Sequence, residues 1–165
     1  MMHFPDETIA LAQKIVTDFT AKKWMIATAE SCTGGLIAGA LTEIPGSSAV
    51  VDRGFVTYTN TAKMEMLGVQ EQTLTQFGAV SKETALQMVH GALFRSHADF
   101  AVAVTGIAGP GGGSTEKPVG LVHLAAKARS GGFIHHEMRY GDIGRDKVRL
   151  ATLNTALEML VTLGR

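Results

Sequence analysis

Three short stretches hold the residues best able to do chemistry: "AESCTGG" at 29–35, "PGSSAVVDRGFVTYTNTAK" at 45–63 and "VTGIAGPGGG" at 104–113. Ser31 follows an apolar run and precedes two glycines and a series of good helix formers. If a helix starts near Thr33, the amides from Cys32 to Gly35 belong to its first turn, lack partners and favour negative charge. A serine hydroxyl there has two uses. It can cap the helix, or it can attack a carbonyl whose developing oxyanion the same amides would hold. The surroundings differ from the nucleophile elbow, because Ala29 and Thr33 stand where that motif has glycine. Ser48, in a turn after Pro45 and Gly46, is a second candidate nucleophile, and spacing does not choose between the two.

A serine nucleophile needs a base. The histidines are poorly placed: His90 falls inside a helical pattern, His123 and the His135/His136 pair fall in strand patterns, and His97 precedes a loop acid. They also lack zinc-site spacing, so no metal is expected. Glu30 and Asp52 are near the loops but would be weak bases unless desolvated. Lys63 is more informative, because it falls in the first turn of a helix that Asn60 can cap, where the helix dipole disfavours a cation by ~0.3 to 1 kcal/mol. An exposed lysine tolerates that. A partly buried one would have a lowered pKa and could take the serine proton. Tyr58, five residues earlier, could sit beside both or serve as a half-buried strand aromatic. Cys32 has no histidine to activate it.

The 106–113 loop can expose successive amides as a phosphate or ribose cradle, yet it matches neither the phosphate-binding loop nor the dinucleotide fingerprint. Arg145 and Arg149, four apart, share a helix face and could grip a phosphate, or could be a solvated pair near Asp142 and Asp146.

Those residues must be positioned by alternating strands and helices. Helical spacing over 7–22 follows Asp6, a possible N-cap in type; "WMIATA" at 24–29 reads as a buried strand; a helix is expected from Thr33 to Leu41. Residues 50–60 read as a strand with Gly54 as its bulge point, and "SKETALQMVHGALF" as a helix capped by Ser81. "FAVAVTG" is a buried strand, "VGLVHLAAKA" and "FIHHEMRY" form a hairpin across "RSGG", and a last helix runs from Arg145 to Leu163. The order α β α β α α β β β α implies a three-layer α/β/α sandwich around a mixed β-sheet, a single domain over residues 1–165.

Bulk properties agree with such a domain. Fifteen basic residues balance fifteen acidic ones among 165, with no basic run, so the footprint of a nucleic-acid binder is missing. No apolar run approaches a membrane span, the opening segment does not look like a secretory signal, and one cysteine suits a reducing compartment; a cytoplasmic location is expected. A homo-oligomer is compatible with the sequence, which does not reveal assembly.

Taken together, "TAESCTGGLIAGALTEIPGSSAVVDRGFVTYTNTAKMEMLGV", "GAVS", "AVAVTGIAGPGGGSTEKPVGLV" and "GDIGRDKVR" resemble the CinA C-terminal domain family, which includes stand-alone nicotinamide-nucleotide amidases. The resemblance covers residues 7–162. It implies hydrolysis of the carboxamide of nicotinamide mononucleotide to nicotinic acid mononucleotide and ammonia, in pyridine-nucleotide recycling, by a serine/lysine arrangement without a cofactor. Carried onto this chain, the lysine is Lys63, the serine is Ser31 with Ser48 as rival, and Tyr58 stands nearby. Cys32, Thr33, Gly34, Gly35, Thr105, Gly106, Gly109, Gly111, Gly112, Arg145 and Arg149 are the expected substrate-binding set. The rival reading is a module that binds a nucleotide without turning it over. A nicotinamide-dependent oxidoreductase has only the glycine loop in its favour, in the wrong pattern.

Overall fold

The central strands put large side chains on one face and alanines on the other. In β3, Phe100, Val102 and Val104 enter one core while Ala101 and Ala103 enter a second; β1 adds Ala27 and Ala29 to the second, and β4 adds Ala125. That alternation requires cover on both sides of the sheet. The computed structural model describes residues 3–165. The chain runs α1 (Asp6–Lys22), β1 (Ile26–Glu30), α2 (Leu36–Thr42), β2 (Val51–Val56), α3 (Asn60–Leu67), α4 (Glu71–Phe77), α5 (Lys82–Phe94), β3 (Phe100–Gly106), β4 (Leu121–Ala128), β5 (Phe133–Arg139) and α6 (Arg145–Leu163). The sheet order is β2-β1-β3-β4-β5, with β2, β1 and β3 parallel and β4 antiparallel to both of its neighbours, β3 and β5. Helices α1, α2 and α6 cover the face with the larger side chains, and α3, α4 and α5 cover the alanine face. This is the expected α/β/α sandwich, with one short helix, α4, that the sequence reading leaves out.

Local expectations change at four points. Helix α2 starts at Leu36 instead of Thr33, because Gly34 and Gly35 take positive φ values of 58° and 103° and make residues 32–35 a separate turn. Thr59, not Asn60, caps α3: its hydroxyl accepts from the Ala62 N–H at 3.0 Å. Asp6 is already helical, and the residue in front of it is Pro5, which offers no side-chain cap. The irregularity in β2 lies at Asp52, between the Val51 and Arg53 partners of Ile26 and Ala27. Gly54 is instead a close-approach position, since a Cβ there would stand 2.8 Å from Thr28 Oγ1. Ser81 does cap α5, accepting from the Thr84 N–H at 3.1 Å.

Ser31 does not cap α2. Glu30, only 1 % exposed, does so from the end of β1: its carboxylate accepts from the Ile37 N–H (2.9 Å), the Ala38 N–H (3.1 Å), the Thr33 hydroxyl (2.7 Å) and the Thr28 hydroxyl (3.2 Å). A charge buried this deeply is tolerable because every lone-pair direction meets a donor and the helix dipole adds to them. On the opposite face, Gly91 lets α5 touch the end of α3, where any Cβ would overlap the Leu67 carbonyl.

Two outcomes follow. Gly91→Ala should cost about 1–3 kcal/mol by overpacking, lowering Tm by about 2–4 °C for each kcal/mol in a calorimetric scan. An unchanged Tm would show that α3 does not rest there. Glu30→Gln turns an NH2 group toward donors that need an acceptor, so urea unfolding should lose about 1–3 kcal/mol; a midpoint equal to the parent's would contradict the capping role.

Candidate active site

Three parallel strands end side by side, and the chain after each of them contributes to one cavity. Ser31 leaves the central β1 with Thr57 on the β2 side and Thr105 on the β3 side. Two backbone bonds hold it between its neighbours: the Ser31 N–H donates to the Val104 carbonyl (3.1 Å) and the Thr57 N–H donates to the Glu30 carbonyl (2.8 Å). Ligand sites of open α/β sheets lie at this carboxyl edge. The cavity measures about 220 Å³ and is bordered by Ser31, Cys32, Tyr58, Asn60, Lys63, Ala79, Val80, Thr105, Gly106, Ala108 and Arg145.

Lys63 reaches its floor from the first turn of α3. Its side chain is 1 % exposed, and Nζ lies 3.0 Å from Ser31 Oγ and 2.9 Å from the Thr57 carbonyl oxygen. Burial pushes the ammonium below the ordinary lysine range. A Cys32 thiolate would oppose that shift, but burial pushes the Cys32 thiol up to about 11, so at neutral pH the opposing charge is missing. The same shift leaves Cys32 without the thiolate that a cysteine nucleophile needs.

Tyr58 and Arg145 form the rim. Tyr58 is 59 % exposed and its hydroxyl accepts from Arg145 Nη2 at 2.8 Å, while Arg145 Nη1 donates to the Gly109 carbonyl at 2.9 Å. Arg145, the first residue of α6, thereby ties the rim of β2 to the glycine loop. Thr105 is buried and donates to the Ala79 carbonyl at 2.8 Å, fixing the 79–80 segment as a side wall.

Other expected residues lie elsewhere. Ser48 is exposed in the 3-10 turn Ser47–Ala49 that precedes β2, whereas Lys63 follows the far end of that strand; the fold separates them by the length of β2. Gly111 and Gly112 border a different depression, of about 520 Å³, with Pro110, Arg139 and Asp142. Gly109 contributes its carbonyl to Arg145 and no wall to the cavity. Thr33, Gly34 and Gly35 form the turn behind Ser31, with the Thr33 hydroxyl on Glu30. Arg149 does not join Arg145 at the cavity: its guanidinium binds the Cys32 and Thr33 carbonyls. Of the histidines, His123 and His135 stack with ring centroids 5.3 Å apart, and their Nδ1 and Nε2 atoms are 3.0 Å apart, on β4 and β5 beyond the cavity. Burial lowers the pKa of both.

Sequence reasoning passed over the Thr57 carbonyl and the cavity walls from Asn60, Ala79, Val80 and Ala108. Ala79 and Val80 lie within the motif "GAVS", so that signal was present without an assigned use. The Thr57 carbonyl had none, since a backbone oxygen carries no residue type.

Comparison with known proteins places the chain in a family. The family model described as CinA C-terminal domain matches residues 8–163. Nicotinamide-nucleotide amidohydrolase PncC of Enterobacter agglomerans is 49 % identical over 156 residues, covering 92 % of this chain and 94 % of that protein. The protein of the same name from Escherichia coli K12 is 48 % identical over 155 residues, covering 93 % of each. The crystal structure of competence/damage inducible protein CihA from Agrobacterium tumefaciens superposes with a TM-score of 0.99 at 73 % identity over the whole of both chains. This chain belongs to the CinA C-terminal domain family.

Proposed function

We propose that the chain hydrolyses the carboxamide of nicotinamide mononucleotide to nicotinic acid mononucleotide and ammonia, with Ser31 as nucleophile and Lys63 as general base, in pyridine-nucleotide recycling. The observation that carries the mechanism is a lysine, itself 1 % exposed, whose nitrogen lies 3.0 Å from a serine hydroxyl. The relatives' name, nicotinamide-nucleotide amidohydrolase, supports the substrate class.

The steps follow from the residues present. Neutral Lys63 accepts the Ser31 proton while its own N–H still donates to the Thr57 carbonyl. Ser31 Oγ bonds to the carboxamide carbon, and the C=O electron pair moves to oxygen, beside the amides of Cys32 and Gly106 on the cavity wall. Collapse of the tetrahedral species breaks the C–N bond as Lys63 returns its proton to the departing nitrogen, giving ammonia and an ester on Ser31. Water then adds to the ester, Lys63 takes its proton and returns it to Ser31 Oγ, and the acid leaves. Nothing is consumed except water. Tyr58 and Arg145 frame the entrance through which the rest of the nucleotide extends.

An ammonia-release assay on nicotinamide mononucleotide tests the reading. Ser31→Ala should lose at least about a thousandfold in kcat, and Lys63→Met about 10²–10⁴-fold. Ser48→Ala should match the parent. Tight binding of the nucleotide with no ammonia released by the parent protein would instead favour the non-catalytic module.

The rate should also rise with pH through the lowered pKa of Lys63, because below it the amine is charged and cannot accept a proton. The substrate's pyridinium ring is itself cationic, so its arrival should depress that pKa further. The acidic limb should therefore lie at lower pH in the kcat profile than in the kcat/KM profile; coincident limbs would remove the claim of substrate-assisted deprotonation.

A further inference from the structure

Arg149 sits one helical turn beyond Arg145 on α6, but it faces the polypeptide behind Ser31. Nε donates to the Cys32 carbonyl at 3.0 Å and Nη2 donates to the Thr33 carbonyl at 3.1 Å. The Gly34 N–H closes the same turn on the Ser31 carbonyl at 3.0 Å. Three successive carbonyls, those of Ser31, Cys32 and Thr33, are thus all engaged.

In a trans peptide the C=O and N–H bonds point in opposite directions. The Ser31 carbonyl is turned to Gly34, so the Cys32 N–H of that peptide points out of the turn. The Cys32 carbonyl is turned to Arg149, so the Thr33 N–H points away from the guanidinium. Of the two, the Cys32 amide belongs to a residue that borders the cavity beside Ser31, and Thr33 does not border it. Arg149 holds the Thr33 carbonyl, which turns the N–H of the same peptide, that of Gly34, onto the Ser31 carbonyl, and the Cys32 N–H is directed through that bond.

Two features suit Arg149 to that task. A planar fork can meet two adjacent carbonyl oxygens at once, which the single ammonium of lysine cannot do with the same geometry. Gly34 supplies the φ of +58° that the turn beneath the guanidinium requires, a conformation that favours glycine. The guanidinium charge at the carbonyl end also polarises each peptide so that its N–H becomes the stronger donor. From the other side, the Thr33 hydroxyl is anchored on Glu30 at 2.7 Å, so the turn is held at both faces.

We propose that Arg149 is a positioning residue for the amide hydrolysis: by holding the Thr33 carbonyl, and with it the Gly34 N–H on the Ser31 carbonyl, it aims the Cys32 amide at the developing oxyanion, and it does not bind the substrate's phosphate. This rests on the acyl-transfer reading given above.

Steady-state kinetics of the parent, Arg149→Lys and Arg149→Met on two substrates decide it: nicotinamide mononucleotide, and nicotinamide riboside, which has the same carboxamide and no phosphate. Arg149→Met should lower kcat by about 10- to 100-fold, with KM within about threefold, since misaimed donors are missed chiefly in the transition state. The factor should be the same for both substrates, and Arg149→Lys should fall in between. A rise in KM confined to the phosphate-bearing substrate, with kcat kept, would make Arg149 a phosphate ligand and overturn the proposal. So would parental kcat in both variants. A parental thermal melt for the lysine variant shows that its kinetics report on the site and not on unfolding.

If the parent itself releases ammonia from neither substrate, the amidase reading fails separately. The positioning claim then meets its own test in the rate at which a sulfonyl fluoride modifies Ser31, read by mass spectrometry. Labelling should slow at least about tenfold in Arg149→Met, because that reaction also builds negative charge beside Ser31 Oγ; equal labelling rates would overturn it.

Discussion

A lysine amine removed from water and given no carboxylate partner governs this structure. Lys63 Nζ meets one carbonyl oxygen and one hydroxyl, both uncharged acceptors. Neither compensates for the hydration that an ammonium loses on burial, so the neutral amine gains relative to the charged one. A neutral amine beside a hydroxyl is a base beside an acid. The rest of the fold can be understood as what keeps those two atoms 3.0 Å apart and dry.

Parallel strand pairing does the first part. Because β2, β1 and β3 run the same way, their exits converge, and Ser31, Thr57 and Thr105 arrive together without a long loop between them. Helix α3 then follows β2 almost immediately, and the Thr59 cap sets its start so that the fourth residue, Lys63, points back at the strand ends. Gly91 permits α5 to seat against the far end of α3, which orients the whole short helix. Alanines on that face of β1, β3 and β4 bring the helical layer close to the sheet and keep water out.

Polar anchors do the second part. The turn carrying Ser31 makes no use of the Ser31 hydroxyl; it hangs between the Glu30 carboxylate and the Arg149 guanidinium. Capping of α2 is thereby delegated to a neighbour, leaving the serine hydroxyl for Lys63. Arg145 acts similarly at the rim, where it joins Tyr58 and Gly109, segments far apart in the chain. Arg149 is satisfied by two backbone oxygens and Arg145 by one backbone oxygen and the Tyr58 hydroxyl, so helix α6 works as a post to which the loops at the carboxyl edge are tied.

By itself, the sequence determined the layered architecture, the strand at 100–106, the 133–139 hairpin partner and the helix from Arg145 to Leu163. Hydrophobic period and capping chemistry are local, and local signals survive in one dimension. Tertiary structure decided the rest. Ser31 and Ser48 look alike in sequence, and only strand direction puts one at the carboxyl edge with Lys63 and the other beyond the opposite edge. Arg145 and Arg149 share a helix face, yet one meets the cavity and the other the back of the turn, because neighbouring loops differ across a single helical turn. The Lys63 pKa depended on burial and on which charges were absent, quantities that exist only when distant segments pack together.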